Sequence, residues 1–144
     1  MARTILIAGA VAWLLAGIVG LGLAVMGTDW LRSRLPPLAI DVEALGGALT
    51  AMAIGLIVLS AAHIAVVVGL RRERHWACSA GVLLASVLAA ASFGLAAAAI
   101  SSAAREAGYA LPLIGSAVVA TLGTAGYALV AAELARQLGS ESAS

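Results

Sequence analysis

Four stretches of this chain, residues 4–27, 46–70, 77–101 and 111–134, are apolar, nearly free of charge and long enough to cross a bilayer as helices. Their only exceptions are His63 in the second stretch and Glu133 at the end of the fourth. Backbone polar groups in lipid must be satisfied within a helix or a closed barrel. Barrel strands would alternate lipid-facing and lumen-facing residues over about ten positions, whereas these stretches are apolar all round. The expectation is an all-α integral membrane four-helix bundle, with residues 1–144 forming a single membrane domain.

Composition agrees. Hydrophobic residues make up 63% of the chain and charged residues 10%, against about 25% charged in an average soluble domain. That excludes a polar shell around a soluble core, and equally excludes intrinsic disorder, which needs low hydrophobicity and high net charge. A net charge of +1 without a basic, aromatic-interleaved stretch gives no nucleic-acid signal. The single cysteine, Cys78, excludes an internal disulfide framework, a CxxC redox pair and a thiolate zinc site. The first stretch is longer than the core of a signal peptide and lacks a small-x-small pattern before Gly27, so it reads as an uncleaved anchor.

Arginine placement sets the expected orientation. Arg3, Arg71, Arg72, Arg74 and Arg136 share one side, and Arg32, Arg34 and Arg105 share the other. The positive-inside rule then places both termini in the cytoplasm. Trp30 and Trp76 fall at opposite interfaces, as aromatic anchors do, while Trp13 lies near mid-membrane. In the first outer connection Gly27 stops the helix, Thr28 and Asp29 are capping types, and Pro36-Pro37 ends a short turn. Residues 29–36 therefore read as a short interfacial helix, with Trp30, Leu31 and Leu35 toward lipid and Arg32 and Ser33 toward water. Asp41 caps the second span, Glu43 sits in its first turn, and Pro112 opens the fourth span, where its missing N–H is harmless.

Helices in lipid associate by close packing of small residues. Ridges at a spacing of four occur at Ala8, Ala12, Ala16, Gly20 and Ala24; at Ser86, Ala90, Gly94, Ala98 and Ser102; and at Ser116, Ala120, Thr124, Ala128 and Ala132. The second span offers Gly47, Ala51 and Gly55, then Ala61, Ala65 and Gly69. Such ridges serve contacts within one chain or between chains.

An ionisable side chain inside a membrane is a functional candidate by default. His63 lies eight residues before Arg71, about 12 Å along the helix. Tyr127 sits at a similar depth on the fourth span, with Ser60 and Thr124 near them, so these four form a candidate intramembrane polar site, either a proton relay or ligand contact or a hydrogen-bonded glue between helices. Arg71, Arg72 and Arg74 are candidate contacts to lipid headgroups as well as topology determinants. Glu133 is spaced to pair with Arg136, and Cys78 reads as an inert thiol beside Trp76. The only other histidine, His75, lies in a loop, which leaves no bis-His haem pair within one chain. No phosphate loop, HExxH, nucleophile elbow or acidic metal cluster is present. No enzymatic activity, cofactor, metal, soluble substrate or nucleic-acid partner is expected.

The junction Gly69-Leu70-Arg71-Arg72-Glu73-Arg74-His75-Trp76-Ala77 resembles a pattern of small uncharacterised four-span bacterial integral membrane proteins: a helix ending in Gly-Leu, an Arg-rich turn, and Trp-Ala opening the next helix. The resemblance implies that architecture and a bacterial plasma membrane, and carries no activity with it. The expected partners are the lipid bilayer and other membrane helices, in a homo-oligomer or a hetero-complex. The expected function is a non-enzymatic structural, accessory or assembly subunit. The alternative is a small homo-oligomeric channel or carrier with a polar site around His63 and Tyr127.

Overall fold

The structure, a computed structural model, describes residues 1–26, 42–105, 108 and 110–141. It contains four long helices: α1 (Ala2–Val25), α2 (Val42–Arg71), α3 (His75–Arg105) and α4 (Ala110–Glu141). No strand occurs among the described residues. All four helices are long and apolar enough to cross a membrane. Even the shortest, with 24 residues, reaches about 36 Å at 1.5 Å per residue, more than a hydrocarbon core of about 30 Å.

The last three helices outrun the apolar stretches that mark them. α2 begins at Val42, α3 continues to Arg105, and α4 runs on to Glu141. The reason is physical: lipid requires apolar side chains only across its own thickness, while backbone hydrogen bonding continues through polar residues until a cap stops it. Pro112 falls in the first turn of α4, where an N–H has no partner within the helix in any case. The expected interfacial segment 29–36, the stop at Gly27, the anchor Trp30, the Pro36-Pro37 break and the cap Asp41 lie outside the described residues.

The chain divides into two compact units, one of residues 7–65 and the other of residues 1–6 with 66–144. In the first, α1 and α2 run antiparallel at close range. A Cβ built on Gly17 would lie 2.7 Å from Ile57 Cγ1 and 3.1 Å from the Ala53 carbonyl oxygen. One on Gly20 would lie 3.1 Å from Ala53 Cβ. Nearer the other end of this pair, the Ser60 hydroxyl donates to the Ala10 carbonyl at 2.7 Å. The contact positions ascend on α1 (10, 17, 20) as they descend on α2 (60, 57, 53), which is the antiparallel pattern.

In the second unit α3 and α4 form another antiparallel pair. α3 buries Ala77, Gly81, Ala85, Leu88, Ser92 and Ala96, a line at spacings of three and four. Gly81 lies against Leu134 and Val66, and Gly123 lies against Ser92. Leu134 and Val130 are fully buried on α4. The tight turn between α2 and α3 has its own small-residue requirement. A Cβ on Gly69 would meet Ala77 Cβ at 2.6 Å and the Trp76 ring at 3.0 Å. Close approach across this turn accounts for glycine before it and alanine after it.

The packed faces are not the ridges expected from the sequence. Ala8, Ala12 and Ala16 on α1 are exposed, as are Gly47, Ala51, Gly55, Ala61 and Ala65 on α2. On α3 the whole set Ser86, Ala90, Gly94, Ala98 and Ser102 is exposed. On α4 Ser116, Ala128 and Ala132 are exposed, and Ala120 and Thr124 are half-buried. Gly20 and Gly69 alone are buried from those sets. The buried line on α3 breaks its spacings of four with one of three, between Ala85 and Leu88, which keeps it closer to 3.6 residues per turn; a strict spacing of four drifts around the helix.

Candidate functional site

Two groups of polar residues stand out against the apolar spans. The first lies within the apolar stretches of the helices. Ser60 and His63 are both fully buried, three residues apart on α2. Ser60 is bonded to the Ala10 carbonyl, and His63 Nδ1 lies 2.8 Å from the Leu59 carbonyl oxygen one turn back. A carbonyl only accepts, so in this bond Nδ1 carries the hydrogen and donates. Thr124 donates to the Ala120 carbonyl at 3.0 Å, again one turn back, and Tyr127 is buried on α4. Ser60 and His63 belong to the unit of residues 7–65, and Thr124 and Tyr127 to the other. Thr121 and Ser116 repeat the same return bond, to Ala117 and Pro112. No buried side-chain nitrogen or oxygen lacks a partner among the described residues. An apolar helix accommodates an isolated hydroxyl in this way: those of Ser60, Ser116, Thr121 and Thr124 each close on a backbone oxygen.

The second group lies wholly within the other unit, where the start of α1, the α2–α3 turn and the last turns of α4 meet. Here Glu133 joins two helices. One carboxylate oxygen accepts the Ala2 amide N–H at 2.9 Å, and the other lies 3.6 Å from the Met1 ammonium. The first amides of a helix have no internal acceptor and carry the positive end of its dipole, and α1 has no acidic residue in its own first turn. Glu133 supplies that acceptor from α4. The expected pairing of Glu133 with Arg136 is replaced by this one: the open end of α1 offers both a charge and an amide donor, which a neighbour on the same exposed helix face does not.

Arg3 makes the matching connection at a helix C-terminus, donating from Nη2 to the Leu70 carbonyl at 3.0 Å. α2 then closes with the Arg74 amide bonded back to the Gly69 carbonyl at 3.0 Å, and Glu73 occupies the left-handed region at φ 53°. That is the geometry of a Schellman cap with glutamate where glycine is usual. Arg74 then precedes α3, its carbonyl accepting from Ala77 at 2.9 Å.

These connections surround a cleft of about 700 Å³, whose lining includes Arg3, Glu73, Arg74, Cys78, Glu133 and Leu134. Leu134 is fully buried and Cys78 half-buried, so an apolar base carries a rim of both charges. Of the three arginines expected at headgroups, Arg74 lines this cleft, while Arg71 and Arg72 are exposed and do not line it. The sequence marked Arg3 and Glu133 only as helix-end charges. The signal for their meeting was present in the four-span topology, which brings the N-terminus, the second loop and the end of the last span to one end. No protein-family model, curated protein or solved structure matches the chain.

Proposed function

We propose that this chain is a non-enzymatic accessory or assembly subunit of the bacterial plasma membrane, with both termini in the cytoplasm, that associates with other membrane helices through small-residue faces. One observation carries the reading: the ridge Ser86, Ala90, Gly94, Ala98 and Ser102 points outward along α3. Gly94 has open space where a side chain would stand. An outward glycine lowers helix stability by about 1 kcal/mol relative to alanine without a packing gain inside the chain. Such a face lets a second helix approach closely, where dispersion contacts and Cα–H···O bonds accumulate. The partner is another copy or a different membrane protein.

The test is purification from mildly solubilised native membranes, wild type beside Gly94→Leu. The expected result is a complex for wild type and a folded monomer, at least as stable, for Gly94→Leu. A wild-type protein that emerges as a monomer with no co-purifying membrane protein overturns the proposal. The alternative, a small homo-oligomeric channel or carrier, is favoured by one observation, the complete burial of His63 within an apolar span. It requires a solute flux in proteoliposomes that His63→Leu abolishes while fold and oligomer size stay unchanged.

A further inference from the structure

The geometry points to the cleft at the end of α1, α2 and α4 as a binding site for a phospholipid whose headgroup carries both a phosphate and a protonated primary amine. Its position comes first. The lining residues lie where each apolar stretch ends: Arg3 before the first, Leu70 closing the second and Glu73 after it, Cys78 at the start of the third, and Glu133 with Leu134 at the close of the fourth. That is the level at which headgroups meet helix ends, and pockets between spans at this level are known places for headgroup capture.

Charge then selects the headgroup. Arg3 uses one donor on the Leu70 carbonyl and keeps its other N–H groups. Arg74 is exposed, and its guanidinium has no hydrogen bond or ion pair among the described residues. Two guanidinium groups lining one cleft supply charged donors of the type that binds phosphate. The same lining carries two carboxylates, Glu73 and Glu133. Glu133 is already engaged by the Ala2 amide and the Met1 ammonium, so a purely anionic headgroup would leave Glu73 without a partner. A headgroup with an ammonium beside its phosphate gives Glu73 a donor, and Glu73 is likewise unpaired among the described residues. The half-buried Cys78 gives the glycerol region an apolar contact at the cleft wall.

The experiment uses the full chain, delipidated in detergent and offered dioleoyl phosphatidylethanolamine, phosphatidylcholine or phosphatidylglycerol in mixed micelles, with retained lipid counted by native mass spectrometry. Phosphatidylethanolamine is expected to be retained about fivefold above the other two, the scale of one additional charge contact near a membrane surface. Arg74→Gln lowers that retention about fivefold, and Arg72→Gln, outside the lining, leaves it unchanged. Glu73→Gln abolishes the preference for the primary amine over choline while phosphate-dependent retention survives. Equal retention of all three lipids by the wild type overturns the proposal, whatever the variants do. So does equal loss from Arg72→Gln and Arg74→Gln. A third arm offers free phosphoethanolamine: if it displaces the lipid as well as phosphatidylethanolamine does, the site belongs to a soluble ligand and the lipid assignment is wrong.

Discussion

Replacing Gly17 by alanine sets two effects of known size against each other. Alanine is favoured over glycine in a helix by about 0.8–1.0 kcal/mol. Against that gain, the new methyl would sit 2.7 Å from Ile57 Cγ1, 3.1 Å from the Ala53 carbonyl oxygen and 3.3 Å from the Ile57 amide nitrogen. Carbon atoms pack best at about 3.5–4.0 Å, so the contact with Ile57 is short by about an ångström. Two of the three obstructing atoms belong to the α2 backbone and cannot rotate away. The helices must separate, and a radial gap of 0.5–1 Å forfeits about a quarter to a half of each contact along the seam. Overpacking of this kind destabilises by about 1–3 kcal/mol, which leaves Gly17→Ala less stable than wild type by about 1 kcal/mol after the helix gain. Gly22 is the internal control, because its added methyl meets nothing within 4 Å. Gly22→Ala is expected to be neutral or stabilising by up to about 1 kcal/mol. Reversible unfolding of the purified protein in mixed micelles, followed by helical circular dichroism against denaturing detergent, measures both. If Gly17→Ala is as stable as Gly22→Ala, the close α1–α2 approach is not what stabilises this unit, and the reasoning fails.

Other expectations follow from the same contacts. Ser60→Ala removes the bond to Ala10 and is expected to lower stability by about 0.6 kcal/mol, typical of a hydrogen bond between membrane helices; a loss above about 2 kcal/mol would mean that Ser60 does more than bridge α1 and α2. Glu73→Gly relieves the left-handed glutamate and is expected to stabilise the α2–α3 turn by about 1 kcal/mol in the same unfolding assay, while removing one carboxylate from the cleft. Glu133→Leu uncaps α1 and is expected to speed amide exchange at the start of that helix, with no change at its far end. In a Cys78→Ser background, a cysteine at Arg72 is expected to react with an impermeant maleimide only from the cytoplasmic face; labelling from outside reverses the topology.

Much of this molecule is written in its periodicity and composition. Four apolar stretches give four long helices, since lipid leaves a non-barrel backbone no other way to satisfy its polar groups. The helix ends were less legible, because a charge such as Arg136 follows the end of an apolar stretch without ending the helix. Of the expected ridges, only Gly20 and Gly69 fall on packed faces. Alanine, glycine and serine are so common here that a spacing of four marks ridges on every side of a helix. Only the neighbouring helix decides that Gly17, Gly20, Gly81 and Gly123 are contacts and that Gly94 is not.

The polar residues divide the same way. The sequence alone determined that His63 and Ser60 lie within an apolar span, because that depends only on distance along the helix from the charged turn. The tertiary structure decided that Ser60 closes on Ala10, that Glu133 serves the start of α1 instead of Arg136, and that Arg3 reaches Leu70. Those pairings are long-range in sequence. They are fixed by which unsatisfied backbone group a side chain meets when two helix ends are brought together, and local spacing carries no information about that meeting.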